Sequence, residues 1–219
     1  MITKLELNDF VRTCGVKDTG SFAAACEVLR KFLTEYNTNV NLTRLTSVED
    51  FYFKHVADSL SIAYFFPEIS KDKLVIADIG CGAGFPSLIL ALAFPQLQIH
   101  AIDSIGKKIT FVTLAAQLLN LHNLNAVHGR STELNCRKEF QNKFDIVTAR
   151  AVAPSPKIFR ESNRFTVPGG RFIFYKTPQQ AAEESAELQK IRQMHWSNAS
   201  VFNLPGLSGE RLFTVGKTI

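Results

Sequence analysis

Apolar positions in the first third of the chain recur at intervals of three and four residues, which predicts an amphipathic helix. The stripe consists of Phe22, Ala25, Cys26, Leu29, Phe32, Leu33 and Tyr36. A polar turn is predicted over 37–43, and Thr46 followed by Glu49 has the form of a capping box. This box predicts a second helix to about Ala63, before Pro67. Residues 1–70 are therefore expected to form an N-terminal helical extension.

From Leu74 onward, short apolar runs alternate with helical patterns, as in a parallel sheet with crossover helices. Three helices are predicted in this part. The first begins at Pro86, directly after a glycine-rich turn, the second follows the second strand and ends at Leu119, and the third runs from about Pro178 to Met194. A turn is expected at 168–170. The predicted strands are 74–79, 99–102, 125–128, 144–148, 171–175, 199–202 and 211–216. Residues 71–219 are thus expected to form an α/β domain, a seven-stranded mostly parallel sheet with helices on both faces.

The composition is that of an ordinary globular chain, with 46% hydrophobic and 21% charged residues. The four cysteines lie far apart, and neither a CxxC pair nor a zinc-ligand spacing occurs, so no metal is expected. Unpaired thiols and the absence of a signal-peptide pattern at the N-terminus favour a cytoplasmic location.

The net charge of +5 is unevenly distributed along the chain. Between residues 150 and 176, Glu161 is the one acidic residue among six basic ones, so this segment carries the entire excess. The basic residues are Arg150, Lys157, Arg160, Arg164, Arg171 and Lys176. Such a segment suits phosphate contacts with a nucleic acid, although a solvated surface would have the same composition.

The segment from Asp78 to Pro86 contains the strongest local motif, because it joins a predicted strand to a predicted helix. Gly80, Gly82 and Gly84 stand at alternate positions, where the lack of a Cβ lets the backbone approach a ligand closely. A dinucleotide site would instead have G-x-G-x-x-G spacing, with a pyrophosphate at the helix N-terminus. Asp78 would repel a pyrophosphate but suits the cationic S-adenosylmethionine. Asp103 ends the second predicted strand, where a carboxylate can accept hydrogen bonds from ribose hydroxyls.

Together these segments resemble the bacterial 16S ribosomal RNA (guanine-N7) methyltransferase family, also called glucose-inhibited division protein B. Besides the glycine loop, the resemblance rests on segments spread over most of the chain. They are Asn41–Thr43, Lys54–Leu60, Asp103–Lys108, His128–Arg130, Thr148–Ala153, Pro168–Arg171 and Lys176. The resemblance implies a class I (Rossmann-like) methyltransferase fold and methyl transfer from S-adenosylmethionine to N7 of one guanine in 16S ribosomal RNA. The partner is expected to be 16S RNA or a 30S assembly particle, and the protein is expected to be a monomer.

The resemblance also implies cofactor contacts at Gly80, Phe85, Ser131, Thr132 and Arg150. The family commonly has a carboxylate where Thr132 stands, and Glu133 follows it. Either a shift of one residue or the threonine hydroxyl would then serve.

Guanine N7 carries a lone pair and no proton, so its methylation needs positioning and electrostatics rather than a general base. Arg150, Lys176 and His55 are the candidate catalytic residues. Arg150 could bind the cofactor carboxylate or guanine O6, and His55 could equally serve a hydrogen-bonded cluster with Asp58 and Ser59. Lys107, Lys108, Lys157 and Lys176 are the candidate RNA contacts. A small-molecule methyltransferase and a non-catalytic RNA-binding protein on the same fold remain alternatives.

Overall fold

The computed structural model describes residues 4–40, 42–43, 47–205 and 209–218. Helices precede the first strand, as the sequence predicts. They are α1 (Lys4–Thr13), α2 (Thr19–Val40), α3 (Val48–Asp50), a π-helical segment (Phe51–Ala57), α4 (Asp58–Phe65) and α5 (Glu68–Lys71). None of the described helices is long and apolar enough to cross a membrane.

Strands and helices then alternate to the end of the chain. The strands are β1 (Val75–Ile79), β2 (Gln98–Asp103), β3 (Leu124–His128), β4 (Phe144–Arg150), β5 (Thr166–Lys176), β6 (Met194–Asn198), β7 (Phe202–Asn203) and β8 (Glu210–Thr218). The helices are α6 (Ser87–Ala93), α7 (Gly106–Leu118), α8 (Ser131–Leu134), α9 (Ser155–Ser162) and α10 (Pro178–Leu188), with a 3₁₀ turn at Lys138–Phe140.

The sheet has the order β3-β2-β1-β4-β5-β8-β6, and the two-residue strand β7 pairs with β8 outside this path. Strands β1 to β5 are parallel, so their carboxyl ends form one edge of the sheet. Strand β8 is antiparallel to β5 and β6. Its first residues therefore lie at the same edge as the ends of the parallel strands. The predicted α/β fold with a mostly parallel sheet is confirmed, with one short additional strand.

Alternate residues of each strand enter two separate apolar cores, as the period of two along a strand requires. Ile76, Ile146 and Ile173 pack with α2, α6 and α7 on one face of the sheet. Ala77, Val147 and Phe172 pack with α8, α9 and β6 on the other face. Helices thus cover both faces. Because the first core includes Leu29 and Leu33 of α2, the extension packs directly on the sheet, and a domain boundary near residue 70 stays a prediction.

Two predictions in the helical extension are wrong in detail. Helix α2 continues to Val40, whereas a turn was predicted from Asn37. The Asn37 side chain accepts hydrogen bonds from the amides of Leu42 and Thr43 and so supports the chain beyond the helix. The second helix is capped by Ser47, whose hydroxyl accepts from the Asp50 amide, while Thr46 lies outside the described residues.

Three predictions in the α/β part are also corrected. The expected turn at 168–170 lies inside β5, where the pairing with β4 shifts between Phe144 and Ile146. The helix predicted to Met194 ends at Leu188, because Met194 and Trp196 alternate inward as a strand and the Trp196 ring covers Gly216. Of the predicted strand 199–202, only Phe202 lies in a strand. Helix α9, the crossover between β4 and β5, was not predicted at all.

Candidate active site

The glycine loop lies at the carboxyl edge of the sheet, directly after β1. Gly80, Gly82 and Gly84 all have positive φ angles, which other residues adopt only with strain. A Cβ at Gly80 would collide with Val152, so a side chain there is excluded by the loop after β4. At Gly82, a Cβ would find no atom closer than the Gly80 carbonyl oxygen at 3.9 Å. The loop therefore presents bare backbone to open space at Gly82, as a ligand cradle requires.

Asp78 lies beneath this loop and does not line the space above it. Its side chain is 1% exposed, and one carboxylate oxygen accepts a hydrogen bond from the Ser87 hydroxyl. The other oxygen, Oδ1, has no partner among the described residues. Burial raises the pKa of Asp78 to about 6, against the smaller opposing effects of Ser87 and Arg150. An ionised Asp78 would thus be a buried and incompletely satisfied charge.

Asp103, at the end of β2, holds the glycine loop against the neighbouring strand. Its Oδ2 accepts from the Gly82 amide at 3.0 Å and its Oδ1 accepts from the Ile105 amide at 2.9 Å. The Lys108 ammonium lies 3.8 Å from Oδ2. Asp103 is thus first a structural acceptor, although each oxygen retains a lone pair for a ligand hydroxyl.

Two cavities open along this edge of the sheet. The first, here called the crevice, has a volume of about 410 Å³ and is lined by the ends of β1 and β2, by residues that follow β3 and β4, and by α9. Its wall includes Asp103, Ser131, Thr132, Val152 and Glu161. The second, here called the basic cavity, has a volume of about 750 Å³ and includes His55, Gly82, Phe85, Arg150 and Arg211 in its wall.

The crevice and the basic cavity adjoin, because Gly80, Lys108 and Ala151 line both of them. Among the described residues that line the basic cavity, five are cationic and one is a carboxylate. The cations are Lys54, Lys108, Arg150, Lys176 and Arg211, and the carboxylate is Asp58. Each of these cations lies within 4 Å of a carboxylate oxygen, and the four acids that pair with them are Asp50, Asp58, Asp103 and Glu184. One positive charge therefore remains in excess, which suits a ligand that carries phosphate groups.

Arg150 is held by three groups of the π-helical segment and α4. Its Nη1 donates to the Lys54 carbonyl oxygen at 2.7 Å and to Asp58 Oδ2 at 2.9 Å. Its Nη2 lies 3.3 Å from His55 Nδ1. Three of the five guanidinium N–H groups are therefore engaged, which leaves two donors for a ligand in the basic cavity.

His55 is a neutral side chain in this arrangement. Burial, reinforced by the charge of Arg150, lowers the pKa of His55 to about 3. Because a guanidinium cannot accept a hydrogen bond, His55 Nδ1 must be the acceptor and Nε2 carries the proton. The ring stacks on Phe85 at a centroid distance of 4.1 Å. His55 thus orients Arg150 and packs the extension against the glycine loop.

Lys176, a candidate catalytic residue and phosphate contact, is buried and paired in the wall of the basic cavity. Its ammonium lies 2.8 Å from Glu184 Oε1, and its side chain is 7% exposed. The other oxygen of Glu184 accepts from the Ser155 amide and hydroxyl. Glu184 therefore joins the end of β5 to the start of α9 and neutralises Lys176.

The basic segment from 150 to 176 does not form a free basic surface. Five of its six cations lie within 4 Å of a carboxylate oxygen. Four of these partners come from outside the segment: Asp58, Glu68, Glu184 and Glu187. The fold brings distant acids onto the segment and offsets much of its positive charge, while its contact with phosphates stays a prediction.

The other predicted RNA contacts lie in different settings. Lys107 is exposed, and its ammonium donates to the Val40 carbonyl at the end of α2. Lys108 lies where the crevice meets the basic cavity, and Lys157 lines the crevice. Of the predicted cofactor residues, Phe85 lines the basic cavity, Ser131 and Thr132 line the crevice, and Gly84 lines neither.

Arg211 is a site residue that the sequence did not reveal. It begins the last long strand, and its Nε donates to Asp58 Oδ1 at 3.0 Å, so Asp58 bridges Arg211 and Arg150. The available signal was a basic residue at the start of a predicted strand. The antiparallel direction of β8 brings the start of this strand to the carboxyl edge of the sheet, and this direction could not be predicted from the sequence.

Fold and site together define a class I methyltransferase, whose cofactor is S-adenosylmethionine. The fold resembles a SAM-dependent methyltransferase from Aquifex aeolicus, with a TM-score of 0.56 at 14% identity over 75% of this chain and 91% of that one. In sequence, the profile of the family "rRNA small subunit methyltransferase G" matches residues 24–212. The chain belongs to this family.

Individual relatives agree with the family profile. A ribosomal RNA small subunit methyltransferase G of Streptococcus pyogenes serotype M12 is 41% identical over 161 residues, which are 73% of this chain and 66% of that protein. A protein of the same name from Lactobacillus helveticus is 35% identical over 192 residues, which are 86% of this chain and 80% of that protein.

Proposed function

We propose that this chain transfers the methyl group of S-adenosylmethionine to N7 of a guanine in 16S ribosomal RNA. Family membership supports the reaction, and one structural observation supports the type of substrate. The basic cavity shares Gly80, Lys108 and Ala151 with the crevice, and the five cations in its wall outnumber by one the four carboxylates that pair with them. A cofactor in the crevice and a nucleotide in the basic cavity would meet at this shared wall.

The crevice fits S-adenosylmethionine in shape and in chemistry. Asp103 in its wall retains acceptor capacity for ribose hydroxyls. Where the crevice adjoins the basic cavity, the open space above Gly82 admits a ligand directly against the backbone. Gly80, Phe85, Ser131 and Thr132 would complete the contacts with the cofactor. When bound, S-adenosylmethionine supplies an electrophilic methyl group on a sulfonium.

The residues of the basic cavity suit binding and orientation rather than proton transfer. Neutral His55 is bonded to Arg150, and Lys176 is bonded to Glu184. The Tyr175 hydroxyl donates to the Ser59 carbonyl, and burial keeps its pKa well above the usual value. Methylation of guanine N7 needs no base, so this constellation matches that reaction. The two remaining donors of Arg150 would orient the guanine through O6 or the cofactor through its carboxylate.

The substrate would be 16S RNA or a 30S assembly particle, bound by a monomer in the cytoplasm. Incubation of purified protein with S-adenosylmethionine and either substrate, followed by mass mapping of the RNA, tests the proposal. We expect new N7-methylguanine at a single position in RNA from a strain that lacks the gene, and no further methylation of RNA from its parent, where that position is already methylated. No methylation of either substrate, with transfer to a small molecule instead, would support the small-molecule alternative.

A further inference from the structure

The crevice wall contains two carboxylates among the described residues, Asp103 and Glu161. Both oxygens of Asp103 already accept backbone amides. Glu161, on α9, differs in that Ser131 Oγ donates to its Oε2 at 3.0 Å while Oε1 has no hydrogen-bond donor among the described residues. The nearest cation to Oε1 is Lys157, whose ammonium lies 3.9 Å away. Glu161 thus offers a free, oriented acceptor to the crevice.

The position of Glu161 matters because the family commonly has a carboxylate where Thr132 stands in this chain. Thr132 lines the crevice, but its side chain ends in a hydroxyl. Glu133 is exposed and does not line the crevice, so a shift of one residue does not supply the missing group. Glu161, on α9, is hydrogen-bonded to Ser131 and brings a carboxylate to the same wall.

We propose that Glu161 accepts a hydrogen bond from the exocyclic amine of the cofactor adenine. The inference rests on the proposed function, since it requires S-adenosylmethionine in the crevice. Apolar side chains along the crevice, among them Ile105, Val152 and Ile158, suit a flat ring. The amine is the one donor group on an adenine base, and an ionised carboxylate only accepts. Glu161 would therefore select adenine over a purine with a carbonyl at the same position.

The test compares two ligands by titration calorimetry, S-adenosylhomocysteine and S-inosylhomocysteine, which has a carbonyl oxygen in place of the amine. Wild-type protein should prefer the adenosyl compound by at least about tenfold, the value of one charge-assisted hydrogen bond. Glu161→Gln should reduce the preference to about threefold or less, because a carboxamide can also donate to the carbonyl. Glu133→Gln, the matched control, should keep the wild-type ratio.

Each other outcome has a definite meaning. A wild-type ratio in Glu161→Gln would overturn the inference while leaving the proposed function intact, and a lost preference in Glu133→Gln would assign the contact to Glu133 instead. Failure of the wild-type protein to bind S-adenosylhomocysteine at all would overturn the proposed cofactor. Should Glu161→Gln not fold, Ser131→Ala removes the group that orients Oε2, and an unchanged ratio there would contradict the inference.

Discussion

Asp78 is the residue whose replacement should change stability most clearly with pH. Its carboxylate is buried beneath the glycine loop, with one oxygen bonded to Ser87 and the other without a partner among the described residues. Burial raises its pKa from the ordinary 3.8 to about 6. The folded state therefore holds the proton more tightly than the unfolded state, so ionisation of Asp78 opposes folding.

The size and sign of this effect follow from the two pKa values. Their difference corresponds to about 3 kcal/mol of folding free energy. The cost grows as the pH rises from the unfolded-state pKa near 4 through the folded-state pKa near 6, and it is fully present above about pH 7. Asp78→Asn cannot ionise. Relative to wild type, its free energy of unfolding should therefore rise by about 3 kcal/mol between these limits, or about 6–12 °C in Tm.

Urea and thermal unfolding at half-unit steps from pH 4 to pH 8, at constant ionic strength, measure this difference without cofactor. Asp72→Asn replaces an exposed carboxylate and is the matched control, whose pH profile should parallel that of wild type. The reasoning would be refuted if the Asp78→Asn profile also ran parallel to wild type. A variant that becomes relatively less stable toward pH 8 would contradict the sign.

Two further predictions concern the basic cavity. Arg150→Lys should lower kcat/KM at least about tenfold, because one ammonium cannot replace three engaged guanidinium donors and still contact a ligand; steady-state kinetics at limiting concentrations of both substrates would measure this, and wild-type efficiency would make Arg150 purely structural. The double variant Lys54→Ala/Lys108→Ala should bind RNA with a weaker salt dependence. The slope of log K against log salt concentration should become shallower by about 0.7–0.9 for each lost phosphate contact. The control double variant, Lys71→Ala/Lys73→Ala, changes lysines at the opposite end of β1 and should keep the wild-type slope. Equal slopes for the wild type and both double variants would show that RNA binds outside the basic cavity.

The order of strands and helices could be predicted because apolar periodicity reports which side of an element is buried. The failures occurred where tertiary contacts override a local pattern. Residues 189–194 continue a helix-favouring composition, yet Trp196 packs on Gly216 and requires a strand. Helix α9 begins after Pro154 and spans only eight residues, which is too short for its apolar spacing to stand out in the sequence. That omission also hid Glu161, because a carboxylate on an unpredicted helix cannot be assigned to a site.

The location of positive charge also depends on tertiary contacts that the sequence does not reveal. Counting charges along the chain selected the segment 150–176, but most of its cations meet acids from elsewhere in the fold. The basic cavity instead collects cations from five elements. The carboxyl edge of the sheet gathers Lys108 of α7, Arg150 of β4 and Lys176 of β5, while the π-helical segment adds Lys54 and antiparallel β8 adds Arg211. Asp58 neutralises only one of two arginines that it bridges, so the pair retains a net positive charge beside the glycine loop. The topology of the sheet, and not the density of basic residues along the chain, therefore determines where an anionic ligand is attracted.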